Sequence, residues 1–181
     1  MAPDQADVEK RLRILEDAEA IRNLQGRFWL AADGVFGTGP THDYEAMVDT
    51  FTEDGTWILP GPMTENGPIE GVEAHGGEEL LACFKIPHER QPISMHVGAA
   101  PIIEVDGGDT ARGRWKLLGM MTAPTGQSFW AGALYDVAYR RTDQGWRIET
   151  CTVVLQFNTP FDGNGWGDVR FVPLARHLVN Q

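Results

Sequence analysis

Cysteine is scarce: Cys83 and Cys151 are the only two in 181 residues. That excludes a disulfide scaffold, and no C-x₂-C pair offers the spacing of a structural zinc site. Both read as buried thiols in a reducing cytoplasm. Basic charge is also short. Lys and Arg number 15 against 26 Asp and Glu, for a formal net charge of −11. A binder of phosphate backbones needs clustered cations, so nucleic acid is excluded as a partner. No apolar run approaches the roughly 20 residues that span a bilayer. The stretch MAPDQADVEKRLR lacks the apolar core of a signal peptide, so the expectation is a cytoplasmic protein away from membranes.

Other absences narrow the chemistry. The chain has 21 glycines, yet no G-x-G-x-x-G or G-x-x-x-x-G-K motif follows a strand, which removes nucleotide cofactors. No G-x-S-x-G elbow offers a serine nucleophile. The histidines fall into no H-x-H, H-x₃-H or His–carboxylate cluster, so no metal is expected. Tyrosine is sparse at three, beside six Trp and eight Phe. Trp buries large areas and wants an N–H partner, so the excess points to an aromatic wall as well as a core.

What is present fits one domain. The length suits a single unit of ordinary size, and 42% hydrophobic with 23% charged residues is a globular composition. Val8, Leu12, Leu15, Ala18, Ile21, Leu24 and Phe28 recur at helical steps and predict a helix over 5–33, with Asp4 as N-cap and Gly34 as stop. A shorter helix starts at Thr41 or Asp43 and runs to Phe51. TEDGTWILP predicts a turn and a short strand around Trp57, and the Gly- and Pro-rich run after it predicts an irregular loop. GEELLACFK gives one or two helical turns ended by Pro87.

Four strands follow, SMHVGAAPIIEV, TARGRWKLLGMMT, SFWAGALYDVAYRRT and GWRIETCTVVLQFNT, separated by DGGD, APTG and DQG turns. Arg112, Arg114 and Lys116 share one parity and Trp115, Leu117 and Met121 the other, so one face of the sheet is wet and one is covered. Helices first and a run of strands after is an α+β pattern, expected as helices on one face of a curved antiparallel sheet that closes around a pocket. Residues 1–181 form one domain, with 158–181 as a tail that caps the pocket or a neighbouring subunit.

Two residues carry the expected chemistry. His96 lies in a strand beside Ser94 and Gly98, on the parity of Ala100 and Ile102. Alone, such a histidine is as well explained as a satisfied core residue. Asp33 ends the long helix, where the dipole opposes a negative charge; alone it is a cap or a loop acid. Together they form a dyad: a carboxylate on one imidazole nitrogen fixes the tautomer and raises the basicity of the other. In a water-poor pocket such a base can remove a proton and return it to a leaving group. Trp57, Trp115, Trp130, Phe129, Met121 and Cys151 fall near the cavity by parity, and Phe28, Trp29 and Tyr135 join them as expected substrate contacts.

The segments RLRILEDAEAIRNLQGRFWLAADG, FTEDGTW, SMHVGAAPIIEVDGGDTARGRW and YDVAYRRTDQGWRIET, followed by FNTPFDGNGW, resemble the SnoaL-like branch of the nuclear transport factor 2-like superfamily. The resemblance implies a cone-shaped α+β barrel. Within that superfamily the chain is similar to cofactor-free lyases such as bile-acid 7α-dehydratase, scytalone dehydratase and the γ-hexachlorocyclohexane dehydrochlorinase. These place a catalytic His and an Asp where His96 and Asp33 stand. They also place a Tyr or Lys where Phe28 stands, an acid where Gly119 stands and, in the dehydrochlorinase, an Arg near Cys151.

The resemblance therefore implies a lyase of altered leaving group, working on a hydrophobic steroid-like or lignin-derived aromatic molecule. It expels water or, if a hydroxyl proton is taken, cleaves a carbon–carbon bond and releases an aldehyde. The alternatives are a ketosteroid-isomerase-type isomerase and a non-catalytic binding module. It also implies a homo-oligomer, a trimer before a dimer, with Trp166, Phe171 and Leu174 of the tail seeking a partner surface.

Overall fold

The computed structural model describes residues 4–33, 42–61, 63–64, 67–68, 70–89, 93–122 and 127–161. The first element is the long helix α1 (Gln5–Ala32). Asp4 stands at its N-cap without a side-chain cap hydrogen bond, and Asp33 already has extended backbone at its C-cap. The expected stop at Gly34 lies outside the described residues. Helix α2 (Tyr44–Val48) follows, with Asp43 accepting a hydrogen bond from the Ala46 N–H as N-cap. It ends before Phe51, which opens strand β1 (Phe51–Leu59).

The expected turn at TEDG falls inside that strand as a bulge: Phe51 and Thr56 pair with β8, the four residues between them do not, and Gly55 folds back against Phe51. The run read as an irregular loop contains the two-residue strands β2 (Met63–Thr64) and β3 (Gly67–Pro68) and the strand β4 (Val72–His75). Helix α3 (Gly76–Glu89) continues through Pro87 rather than stopping there. The ring of a proline near a helix end forfeits one hydrogen bond of the last turns and leaves the earlier ladder intact.

The long strands β5 (Ile93–Val105), β6 (Thr110–Thr122), β7 (Ser128–Thr142) and β8 (Gly145–Pro160) fall within a residue of their expected bounds. They pair in sequence as antiparallel neighbours. The main sheet has six strands in the order β4-β1-β8-β7-β6-β5. Since β1 lies parallel to β8, the sheet is mixed and open, not a closed antiparallel barrel. Strand β6 shows the alternation read from its sequence: residues 111, 113, 115, 117 and 119 are buried and the cationic positions between them exposed.

The helices pack on the buried face. Ile21, Leu24, Phe28 and Trp29 of α1 meet Phe84 of α3 and Trp115, Tyr135, Val137, Tyr139 and Cys151 of the sheet in one core. Burial of these large side chains is the main stabilising term, at about 1.5–3 kcal/mol for each fully buried one. Some of the buried polar groups are answered inside it. The Trp115 indole N–H donates to the Tyr139 hydroxyl (3.0 Å), which donates to Gln25 Oε1 (2.8 Å). The core is thus tied from helix to sheet by a hydrogen-bond chain as well as by packing.

Candidate active site

The end of α1 decides where the site lies. The last carbonyls of a helix have no partner within it, and here the sheet and the α2 entry supply them. Ser94 Oγ donates to the Ala32 carbonyl at 3.0 Å, His42 Nδ1 lies 2.9 Å from the same oxygen, and the Asp43 N–H donates to the Ala31 carbonyl at 2.9 Å. These contacts pin the helix end to β5. The next residue, Asp33, then leaves the helix with its carboxylate against that strand.

Asp33 Oδ1 accepts the His96 backbone N–H at 2.8 Å and lies 2.8 Å from His96 Nδ1. One oxygen therefore fixes both the strand and the ring. An ionised carboxylate only accepts, so Nδ1 carries the proton and the lone pair falls on Nε2. Among the described residues nothing bonds to Nε2. The pair is sheltered, with the His96 side chain 9% exposed and Asp33 22%. A shielded imidazole with its tautomer set and one nitrogen open can serve as a general base and, once protonated, as a general acid.

Two glycines make this arrangement possible. Gly98, one inward position past His96, carries the Trp29 indole, and a Cβ there would sit 1.8 Å from a Trp29 ring carbon. Gly119 is the cross-strand partner of His96, and its missing side chain leaves room for the Met121 methyl group. The expected parity of β5 needs one correction. His96 faces inward with Ser94 and Gly98, but Ala100 has φ 47° and the register shifts between Ala99 and Ile102. Inward positions beyond the shift are odd-numbered, so Ala100 and Ile102 are exposed and do not share the face of His96.

The aromatic residues surround the helix end in layers. Trp29 stands edge-to-face with Trp115 at 5.2 Å and with Tyr135 at 5.9 Å. Trp57 contacts Phe28 at 5.6 Å, Phe84 at 5.4 Å and Tyr135 at 6.0 Å. Phe28 and Trp115 are themselves buried in the core cluster, as is Cys151. Burial pushes the Cys151 thiol well above its ordinary pKa, with Asp136 adding to the effect, so it is an inert thiol. Met121 and Phe129 are paired across β6 and β7 and line an apolar cleft of about 260 Å³ with Met95, Met120, Trp130 and Phe161. The structure thus brings Asp33, His96, Trp29 and Tyr135 together, with Met121 beside them as the cross-strand partner of Ser94 and Phe129 one strand further out.

Ser94 and His42 were not foreseen as parts of the site. Their contribution is to hold the helix end, and for Ser94 the signal was its shared parity with His96. Among the described residues no three His, Cys, Asp or Glu side chains gather as a metal site requires, and no helix is long and apolar enough to cross a membrane. Both cysteines are free.

The sequence profile of the SnoaL-like domain matches residues 13–152, from the middle of α1 into β8. The chain belongs to the SnoaL-like domain family. Solved structures agree on the fold. This SnoaL-like chain is similar to a hexachlorocyclohexane dehydrochlorinase from Novosphingobium barchaimii at 19% identity and TM-score 0.69, covering 84% of this chain and 95% of that one. It is similar to an NTF2-like protein with a cystatin-like fold from Novosphingobium aromaticivorans at 23% identity and TM-score 0.66, covering 91% and 95%. A provisionally assigned scytalone dehydratase from the same organism matches at 14% identity and TM-score 0.65, covering 87% and 92%. At these identities the likeness establishes a shared NTF2-like architecture.

Proposed function

We propose that this SnoaL-like protein is a cofactor-independent lyase in which Asp33 and His96 work as a general acid–base dyad on a hydrophobic, hydroxylated small molecule. The observation that carries the reading is the double contact of one Asp33 oxygen with the His96 backbone N–H and Nδ1, which leaves Nε2 as the sole open nitrogen. Nε2 takes a proton from substrate, a double bond forms as the leaving group departs, and the imidazolium returns the proton to it. Among the structurally similar proteins are a dehydrochlorinase and a provisionally assigned scytalone dehydratase, which favours elimination as the reaction type. The aromatic surround of Trp29, Trp57 and Tyr135 favours a steroid-like or lignin-derived aromatic substrate.

The isomerase reading needs a free carboxylate base, whereas Asp33 is committed to His96. The test is a set of hydroxylated steroids and aromatic dimers incubated with the wild type and with His96→Ala, read by mass spectrometry. Loss of water or release of an aldehyde that depends on His96 supports the lyase. A shifted double bond without mass change supports an isomerase, and ligands recovered unchanged point to a binding module.

The second part of the reading concerns assembly. Met95, Val97, Leu118 and Leu134 stand exposed on the outer face of the sheet. Val97 and Leu118 are cross-strand partners, so the apolar surface is continuous across β5 and β6. A second copy of the chain, in a trimer before a dimer, covers it. Light scattering giving a monomer overturns this. Free thiols and the acidic surface suit a reducing compartment such as the cytoplasm. The tail residues Trp166, Phe171 and Leu174 lie outside the described residues.

A further inference from the structure

The apolar period of α1 does not keep to one side of the helix. Each step of three residues falls about 60° short of a full turn. The steps from Leu15 through Ala18 and Ile21 to Leu24 therefore wind the stripe from one face to the other. Ile21, Leu24 and Phe28 are buried against the sheet. Leu12 and Leu15 stand 53% and 66% exposed on the opposite face, and Leu30, five turns beyond Leu12 on the same line, is 75% exposed. Apolar residues scattered singly over a surface need no explanation, but these are aligned.

The positions between them are patterned as well. Gly26 lies on this face, and a Cβ there would meet nothing within 4 Å, so the helix backbone is open to an approaching partner. Glu19 and Arg22, both exposed, stand at the middle of the row and pair with each other at 3.2 Å. Glu16 and Arg27 are exposed on the same flank, on the side of Leu12 and Leu30.

We propose that this face of α1 is the contact with a second copy of the chain, the two helices running antiparallel about a two-fold axis that passes between Glu19 and Arg22. A two-fold contact must be self-complementary, and the spacing here is. Leu15 of each copy meets the gap over Gly26 of the other, and Leu12 meets Leu30. Glu19 of each copy meets Arg22 of the other, so the two ion pairs close into a ring of four charges. On the flank, Glu16 of each copy meets Arg27 of the other. A parallel pair would set Glu19 against Glu19 and Arg22 against Arg22, and would leave Leu15 without a recess. The antiparallel pair also opposes the two helix dipoles.

This contact goes beyond the assembly proposed above. It lies on the helix side of the molecule, away from the outer face of the sheet, because α1 packs on the buried face. The two surfaces are therefore independent. The α1 contact alone gives dimers, and combined with a trimer through the sheet it gives hexamers.

The test compares the wild type with Gly26→Gln, Glu16→Arg, Arg27→Glu and the double variant carrying both reversals, by sedimentation velocity over a concentration series. A side chain at residue 26 meets no atom of its own chain, and Gln is a better helix former than Gly, so Gly26→Gln is expected to melt no lower than the wild type. The wild type is expected to form even-numbered species, and Gly26→Gln to halve their mass. Each single reversal turns both flanking contacts into like-charge contacts and should weaken the pairing about tenfold. The double variant should restore it. Residues 16 and 27 stand about 16 Å apart along one helix, so this rescue requires two chains.

A wild type with only odd-numbered species, an unchanged mass in Gly26→Gln, or a double variant no better than the single ones each overturns the pairing. Leu118→Glu, on the outer face of the sheet, separates this contact from the trimer. Dimers that persist in Leu118→Glu support the α1 pairing whatever becomes of the trimer, and a monomer overturns it.

Discussion

Helix α1 turns two carboxylates toward the sheet, and they do different work. Asp17, near the middle, forms an ion pair with Arg141 at 2.6 Å and accepts the Trp146 indole N–H at 3.1 Å. The Arg141 guanidinium lies over the Trp146 ring, 4.5 Å from its centroid. Burial works against the ionised form of Asp17, but the Arg141 and Trp146 hydrogen bonds and the charges of Arg141 and Arg13 outweigh it and hold its pKa below the ordinary range. Asp33, at the helix end, has instead an imidazole and a backbone N–H. An Arg partner carries a permanent charge and no spare lone pair, so the Asp17 cluster can only hold structure. A His partner can change its protonation and has a second nitrogen, so the same acid is able to take part in a relay. The partner, not the carboxylate, separates an anchor from a candidate active site.

Substitutions can break this contrast from either side. His96→Ala is expected to lower turnover about 10²–10⁴-fold, the range of general acid–base catalysis, with the fold retained by circular dichroism. Asp33→Asn keeps an acceptor for the strand N–H and the ring but loses the charge that supports the imidazolium. Steady-state kinetics should show about a 10²-fold loss of turnover, with the melting temperature little changed. Asp17→Ala should do the opposite. Removing one partner of a buried ion pair costs about 3 kcal/mol of stability by urea titration, while turnover per folded molecule stays at the wild-type value.

Acid sharpens the same comparison. The folded-state pKa of Asp17 lies below its unfolded value. Its stabilising contribution is therefore complete above the unfolded carboxylate pKa of about 3.9, and is lost as the pH falls through the folded-state value. Melting temperatures measured down that range should fall more steeply for the wild type than for Asp17→Asn. The smallest effect expected is on thiol reactivity. Burial raises the pKa of Cys83 and raises that of Cys151 further, so iodoacetamide should label Cys83 slowly and Cys151 only after unfolding.

Much of this was legible in the sequence, for identifiable reasons. The periodicity of α1 and the alternation of β6 are regular because each element buries one face, and regular burial writes a regular pattern. His96 and Asp33 were legible as residue types in a suggestive setting, but nothing in their spacing showed that they meet. That contact is made by the capping of Ala31 and Ala32 by Asp43, Ser94 and His42, a tertiary event.

Two features were misread because local chemistry was overruled. Pro87 is tolerated inside the end of α3. The positive φ of Ala100 reverses the parity of β5, which period-two counting cannot detect. The unpaired indole N–H of Trp29 was invisible for a further reason, since satisfaction of a hydrogen bond is a property of the packed core and leaves no trace in sequence.

The central claim is that Asp33 sets the His96 tautomer so that Nε2 is the base. Nitrogen NMR of protein labelled in its histidine rings, recorded at alkaline pH, tests this without a substrate. The account predicts that His96 carries its proton on Nδ1 and has a bare Nε2, and that Asp33→Ala, which removes the acceptor, abolishes this preference. A proton found on Nε2 in the wild type would contradict it.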